Sequence, residues 1–384
     1  METRIYLDNA ATTPVRPEVL EAMLPFFGHA GHNPSSLHAE GRRARAGLDE
    51  ARDRVAAALG VARKTITFTG SGSEADNQAI IGVARALAGR GRHIVSTAIE
   101  HHAVLHALDA LRDEGFAITL LPVDARGSID PAVFAAALRP DTVLASVMLA
   151  NNELGTIAPV GELAAIARER GVLFHTDAVQ AAMWLDVGPA RLGVDLLSLT
   201  AHKLYGPKGV GLLYTREGLA VQPLVYGGGQ EFGRRSGTEN VAGIVGFARA
   251  LELAVEERES NVARVGALRD RLEASLAALD DIRINGAGAP RLPNITNASF
   301  AGIDSESLLM ALDLEGVAVS AGSACTSGAL EPSHVIAALG IDPRWHQGVI
   351  RFSLGAGTME AEVERVARLV GRLVTEMRGR TLQA

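Results

Sequence analysis

"VLFHTDAVQAAMWLDVGPARLGVDLLSLTAHKLYGPKGVGLLYT", residues 172–215, contains three short apolar runs, each broken by polar or Gly/Pro positions. "VLFHTDA" (172–178) stops at Asp177, "VDLLSLTA" (194–201) runs into a turn carrying Lys203, and "GVGLLYT" (209–215) follows the Gly-Pro turn. Runs this short, rich in Leu and Val and bounded by turn residues, read as buried strands. The same texture continues upstream in "TITFTG" (65–70), "HIVST" (93–97), "FAITLLPV" (116–123) and "TVLASVML" (142–149). Between these runs lie helical patterns at 74–89, 102–114, 130–138 and 160–170. Strand and helix in alternation predict an α/β fold with a mostly parallel, seven-stranded sheet covered on both faces.

After "YGGGQEFGRRSGTEN" (226–240) the pattern changes to a long helix-prone stretch, 241–279, and then to strands and helices in another order. The predicted division is a large domain over 15–250 and a small α+β domain built from 1–14 and 251–384. The "RIYLDNAATTP" start has no sheet of its own in the sequence. A chain of 384 residues, 47% hydrophobic and 21% charged, is ordinary for a globular protein, and with 4% aromatics its core is filled by Leu, Val, Ile and Ala. The net charge of −7 argues against direct binding of nucleic acid. The densest basic stretch, "GRRARAG" (41–47), runs at once into "LDEARDR" and reads as a helix face. No apolar run approaches the roughly 18 residues of a membrane span. One cysteine cannot form an internal disulfide, and the start carries no leader pattern, so the expected location is the cytoplasm.

Ligands of open parallel sheets bind beyond the carboxyl ends of the strands. "GSGSEADN" (70–77) places Gly72 and Ser73 at a helix start, where free N–H groups and the dipole suit a phosphate, although such turns also serve merely as caps. "IEHHAVLH" (99–106) places His101 at a strand-to-helix junction; His102 and His106 are one turn apart, but a third ligand is lacking, so no metal is expected. "ANNELG" (150–155) offers Asn152, and "HTDAVQ" (175–180) offers Asp177 and Gln180. Lys203 is unexpected behind a buried strand, since burying its charge is costly unless it is paired, neutral or covalently engaged. A lysine, an acid, a stackable imidazole, amide donors and a helix start at one sheet rim suggest pyridoxal phosphate. That cofactor needs a covalent lysine anchor, an acid for its ring nitrogen and N–H groups for its phosphate.

"YLDNAATTP", "FTGSGSEADN", "EHHAVL", "NNELGTI", "HTDAVQ", "TAHKLYGPKGVG", "GGGQEFGRRSGT", "GSACTSG" and "IRFSLG" follow one another along nearly the whole chain. In that order they resemble the motifs of the group I, NifS/IscS-like cysteine desulfurases of the class V aminotransferases. The resemblance implies fold type I of the pyridoxal-phosphate enzymes and a set of roles. Lys203 would anchor the cofactor, Asp177 pair with its ring nitrogen, and His101 stack on the ring and shuttle a proton. Asn152 and Gln180 would hold the ring's 3-oxygen side, and Gly72, Ser73, Thr200 and His202 the phosphate. Thr238 would reach the phosphate of a neighbouring subunit, which implies a homodimer; without the resemblance its loop reads as a flexible turn with solvated arginines. Arg351 would take the substrate carboxylate, helped by Asn33.

Cys325, the only cysteine, would accept sulfur from L-cysteine as a persulfide, leaving L-alanine. Gly322 and Gly328 suit a loop that carries sulfur from the cofactor to an acceptor protein, in iron–sulfur cluster assembly or tRNA thiolation. The short end "GRLVTEMRGRTLQA" leaves the scaffold partner open. A transaminase has no use for Cys325, a selenocysteine lyase shares the fold and thiol, and a pure sulfur carrier need not keep Lys203.

Overall fold

The computed structural model describes residues 4–322 and 333–381. The strands, in chain order, are β1 (Ile5–Tyr6), β2 (Ile66–Thr69), β3 (His93–Thr97), β4 (Ala117–Leu121), β5 (Thr142–Ser146), β6 (Leu173–Asp177), β7 (Leu196–Thr200), β8 (Gly211–Thr215), β9 (Ile282–Asn285), β10 (Ile295–Phe300), β11 (Val317–Ala318) and β12 (Val349–Ser353). The helices are α1 (Pro17–Met23), α2 (Ala39–Leu59), α3 (Gly72–Ala86), α4 (His102–Asp113), α5 (Pro131–Ala137), α6 (Val160–Glu169), α7 (Pro189–Leu192), α8 (Val241–Glu256), α9 (Arg258–Ala277), α10 (Ser305–Leu314), α11 (His334–Ala338) and α12 (Glu360–Thr381).

Seven strands form one sheet in the order β2-β8-β7-β6-β5-β3-β4. All are parallel except β8, which runs antiparallel to β2 and β7. The expected mostly parallel seven-stranded α/β sheet is therefore present, and all seven expected strands are members of it. Every residue of β3, β5 and β7 is buried, as strands covered on both faces must be. The edge strand β4 is half-exposed instead. Because the sheet is parallel, the carboxyl ends of β2, β3, β5, β6 and β7 lie along one edge, where the polar residues that follow them collect.

A separate antiparallel sheet, β12-β10-β9, lies later in the chain, beside a short parallel pair of β1 with β11. The start of the chain thus gains a partner that its sequence did not reveal: Ile5 pairs with Val317, and Asp8 bridges to Ser353. The helix-prone stretch after residue 240 divides at Glu257. The first part, α8, is buried over most of its surface and packs on α1 and α2. The second, α9, buries only the stripe Asn261, Val265, Leu268, Leu272 and Leu276 and packs against α12. Two helices that must bury different fractions of their surface against different neighbours do not share one axis. Among the described residues no helix is long and apolar enough to cross a membrane.

Candidate active site

A cavity of about 270 Å³ opens at the carboxyl edge of the large sheet. It gathers Gly72, Ser73, His101, Asn152, Asp177, Gln180, Thr200, His202, Lys203 and Arg351, ten of the residues singled out in the sequence. Ser71 caps α3 by accepting the Glu74 N–H at 3.1 Å, so the helix begins with Gly72 and Ser73 at the cavity wall. First-turn N–H groups have no acceptor within their own helix. A Cβ at position 72 would stand 3.0 Å from Val179 Cγ2 and 3.4 Å from Thr200 Cβ, so a side chain there would have to push Val179 aside by a few tenths of an ångström, and glycine lets the helix start this close to the strand ends.

Asp177, 6% exposed, ends β6 and accepts the Val179 N–H at 2.9 Å. Burial raises its pKa to about 6, while the Val179 N–H and the positive Lys203 pull the other way. Lys203 Nζ donates to the carbonyls of Ala10 and, at 2.7 Å, Ala11. Gln180 Nε2 donates to the Ala10 carbonyl at 2.8 Å, so the chain start closes this side of the cavity. His202 Nδ1 lies 3.1 Å from Thr12 Oγ1, and burial beside Lys203 lowers its pKa to about 4.

His101 caps α4 with its own ring: Nδ1 accepts the Ala103 N–H at 3.1 Å, which leaves the neutral ring's proton on Nε2. Burial and then the charge of Lys203 hold its pKa down at about 4, so the ring is uncharged at neutral pH. Arg351 is 2% exposed and held from two sides. Its Nη1 donates to the Asn152 carbonyl at 3.0 Å and its Nη2 to Asp8 Oδ1 at 2.8 Å, while Nε is buried without a partner among the described residues.

Two expected residues, Thr238 and Asn33, do not join this cavity. Thr238 is exposed, in a second depression with Glu231 and Arg235. Asn33 is exposed and accepts the Ser35 N–H at 2.8 Å; in a single chain it does not reach Arg351. Cys325 lies outside the described residues. The loop around Thr238 is not the solvated turn its composition suggests. Glu231 is buried, bonded to Arg52 Nη2 at 2.5 Å and to the Phe68 N–H at 2.9 Å. Both Glu231 and Phe232 adopt positive φ, 47° and 58°, and Arg235 pairs with Glu74 at 2.8 Å.

Several buried acids escaped the reading of the sequence. Glu100 is fully buried, with pKa raised by burial to about 8, and accepts from Thr97 Oγ1 at 2.6 Å and the Met148 N–H at 3.1 Å. Glu153 accepts from Ser333 Oγ at 2.6 Å, and Asp76 stands in the cavity wall. Their neighbours "IEHH", "NNEL" and "SEADN" contain the more conspicuous His101, Asn152 and Ser73, and strand-end position alone was the signal available. His102, next to His101, lies between the rings of His106 and His334, with centroids 5.1 and 4.6 Å away. His334 spends Nε2 on the Glu100 carbonyl at 2.9 Å.

Fold and site together define an α/β protein with a lysine-bearing polar cavity at the carboxyl edge of its sheet. The chain belongs to the aminotransferase class-V family, whose model matches residues 5–366. It is 48% identical over 379 residues to cysteine desulfurase IscS of Dictyoglomus turgidum, an alignment covering 98% of this chain and 96% of that one. To cysteine desulfurase IscS of Methanosarcina thermophila it is 46% identical over 374 residues, covering 97% and 93%. A solved NifS-like protein superposes with a TM-score of 0.92 at 39% identity, over 97% of this chain and all of that one. A structure of SspA in complex with cysteine superposes with a TM-score of 0.82 at 34% identity, over 93% and 100%.

Proposed function

We propose that this chain is a pyridoxal-phosphate-dependent cysteine desulfurase that takes sulfur from L-cysteine onto Cys325 and releases L-alanine. The observation that carries the reading is the convergence of Lys203, Asp177 and His101 on one cavity whose wall is the start of α3. The donor set suits the cofactor part by part. An anionic phosphate meets the first turn of α3 with Thr200 and His202, a basic ring nitrogen meets buried Asp177, and an aldehyde meets Lys203. When bound, pyridoxal phosphate supplies an electron sink that weakens bonds at the α- and β-carbons of an amino acid.

The residues of this chain do the rest. Arg351, already fixed by Asp8 and Asn152, presents a buried guanidinium to the substrate carboxylate. Lys203 Nζ would hold the cofactor's aldehyde carbon and would act as the base that takes the substrate α-proton. His101, neutral with its proton on Nε2, lines the cavity and would exchange protons with the reacting groups. The Cys325 thiolate attacks the substrate sulfur; the carbon–sulfur bond breaks, the persulfide forms on Cys325, and the carbon skeleton takes up a proton and leaves as alanine. The persulfide then passes its outer sulfur to an acceptor protein of iron–sulfur cluster assembly or of tRNA thiolation.

In this reading residues 15–250 hold the cofactor, and 1–14 with 251–384 carry the Cys325 loop. The working form is a cytoplasmic homodimer in which Thr238 serves the partner's site. Supporting that state, Leu20, Leu24 and Phe27 along α1 and the turn after it are 48, 56 and 67% exposed, and Leu37 is 89% exposed. The deciding experiment measures alanine and sulfide from L-cysteine with a reductant, for the protein and for Cys325→Ala. Loss of both products in the variant, with the bound cofactor's absorbance unchanged, is the expected result. Equal turnover in the two proteins would refute transfer through Cys325.

A further inference from the structure

Three carboxyls line the cavity: Asp76, Glu153 and Asp177. Glu153 accepts from Ser333, and Asp177 faces the cofactor's ring nitrogen in the proposed function; Asp76, on α3 one turn beyond Gly72 and Ser73, has no part so far. It is 2% exposed, and its Oδ1 is buried with no hydrogen-bond partner among the described residues. Residues 175 and 177 are two apart on β6 and share a face, so His175 and Asp177 point together toward α3. His175 is fully occupied: Nδ1 lies 2.9 Å from Ser146 Oγ and Nε2 2.9 Å from Ser198 Oγ. The Ser198 hydroxyl in turn bonds to Asp76, and His175 Nε2 is 3.7 Å from Asp76 Oδ1. Burial holds the His175 pKa down at about 3, so the ring beside Asp76 is neutral.

Two carboxylates sharing one dry cavity do not both ionise. The partners decide which one does. Asp177 has a backbone N–H at 2.9 Å and the attraction of Lys203. Asp76 has a hydroxyl, a neutral imidazole, and the negative charge of Asp177 against it. We propose that Asp76 is the protonated member of a carboxyl pair, keeping its proton on Oδ1 so that Asp177 is the one anionic carboxyl presented to the cofactor's ring nitrogen. Burial and Asp177 push the Asp76 carboxyl well above its ordinary range, while burial raises Asp177 only to about 6. Asp76 is thus a positioning residue, acting through Asp177. The proposal rests on the pyridoxal-phosphate reading for its purpose, but the protonation itself belongs to the folded chain with or without turnover.

Infrared difference spectroscopy at neutral pH tests this on the cofactor-loaded protein, comparing the unsubstituted chain with Asp76→Asn. The expected result is loss of one carbonyl stretch of a protonated carboxyl, with the bound cofactor's absorbance and its pH titration unchanged, since the amide replaces a neutral acid. Asp76→Ser loses the same band if the asparagine variant does not fold. If Asp76→Asn leaves the protonated band in place and removes carboxylate stretches instead, the assignment is overturned. A protein that yields no alanine from cysteine yet shows the band would refute the desulfurase reading and leave the carboxyl pair standing.

Discussion

Glu100 offers a quantitative test of how this fold carries its buried acids. Its side chain is 0% exposed, and both oxygens lie 3.1 Å from the Met148 N–H, so no solvent screens it. Burial raises its pKa from 4.5 to about 8. A folded-state pKa above the unfolded one means that the folded chain binds more protons, so stability falls as pH rises from about 4.5 through about 8. Glu100→Gln replaces a neutral acid by a neutral amide and removes that dependence. At about 1.4 kcal/mol for each unit, the variant gains less than about 1 kcal/mol near pH 5, about 3 kcal/mol at pH 7 and about 5 kcal/mol well above pH 8. For 384 residues unfolding with roughly 2.1 cal/mol/K each, 3 kcal/mol is ~4 °C in melting temperature. Calorimetry of both proteins across that pH range measures the difference directly. A difference that stays flat with pH would mean that Glu100 is ionised in the fold, and the account of its burial would be wrong.

Three other outcomes are expected. Arg351→Lys keeps the charge but loses the fork held by Asp8 and Asn152, so the KM for L-cysteine should rise roughly 10- to 100-fold with a smaller change in kcat; an unchanged KM assigns the carboxylate elsewhere. Glu231→Ala strands the Arg52 guanidinium, whose side chain is 4% exposed, and should cost about 3–5 kcal/mol in urea unfolding, where a loss under ~1 kcal/mol would make the pair incidental. Asp177 must be ionised to hold a ring nitrogen, so below its pKa of about 6 the affinity of the cofactor-free protein for pyridoxal phosphate should fall about tenfold per pH unit. Fluorescence titrations at several pH values measure this, and a pH-independent affinity would remove Asp177 from the role.

The large sheet was legible because its information is local. Each strand is a short apolar run closed by a polar residue, and the parallel rule then tells where those polar residues meet. Nine of the ten singled-out residues share the cavity for that reason, and the tenth, Arg351, reaches it from β12. What stayed hidden depends on partners distant in the chain. Nothing in "YGGGQEFGRRSGTEN" shows that Glu231 will find Arg52, 179 positions away, or that this ion pair will hold two residues at positive φ. A buried acid likewise looks, in sequence, like any solvated one. Asp76 and Glu100 sit beside helix starts, where acids are commonplace as caps, Glu153 sits in a turn, and only the packing of the fold shows that all three are buried.

The start of the chain shows how that distant information serves the site. Residues 5–13 form almost no regular structure, yet they meet both sheets. Ile5 and Tyr6 pair with β11, and the Ser353 N–H on β12 donates to the Leu7 carbonyl at 2.7 Å. Asp8 fixes Arg351, the carbonyls of Ala10 and Ala11 receive Lys203 and Gln180, and Thr13 accepts the Tyr205 N–H at 2.7 Å. One segment, a short strand running into a turn at residues 9–11, therefore links the proposed carboxylate-binding arginine on the small sheet with the proposed cofactor lysine on the large one. Such a segment is well suited to this, because the Ala10 and Ala11 carbonyls are not consumed by a helix and remain available to a lysine and an amide. Asp8→Asn should thus act through Arg351: the asparagine keeps the hydrogen bond but not the charge, so L-cysteine KM should change while cofactor absorbance does not. A variant that lost cofactor and substrate binding together would show instead that the segment holds the two sheets as a unit and that Asp8 has no separate part in aiming Arg351.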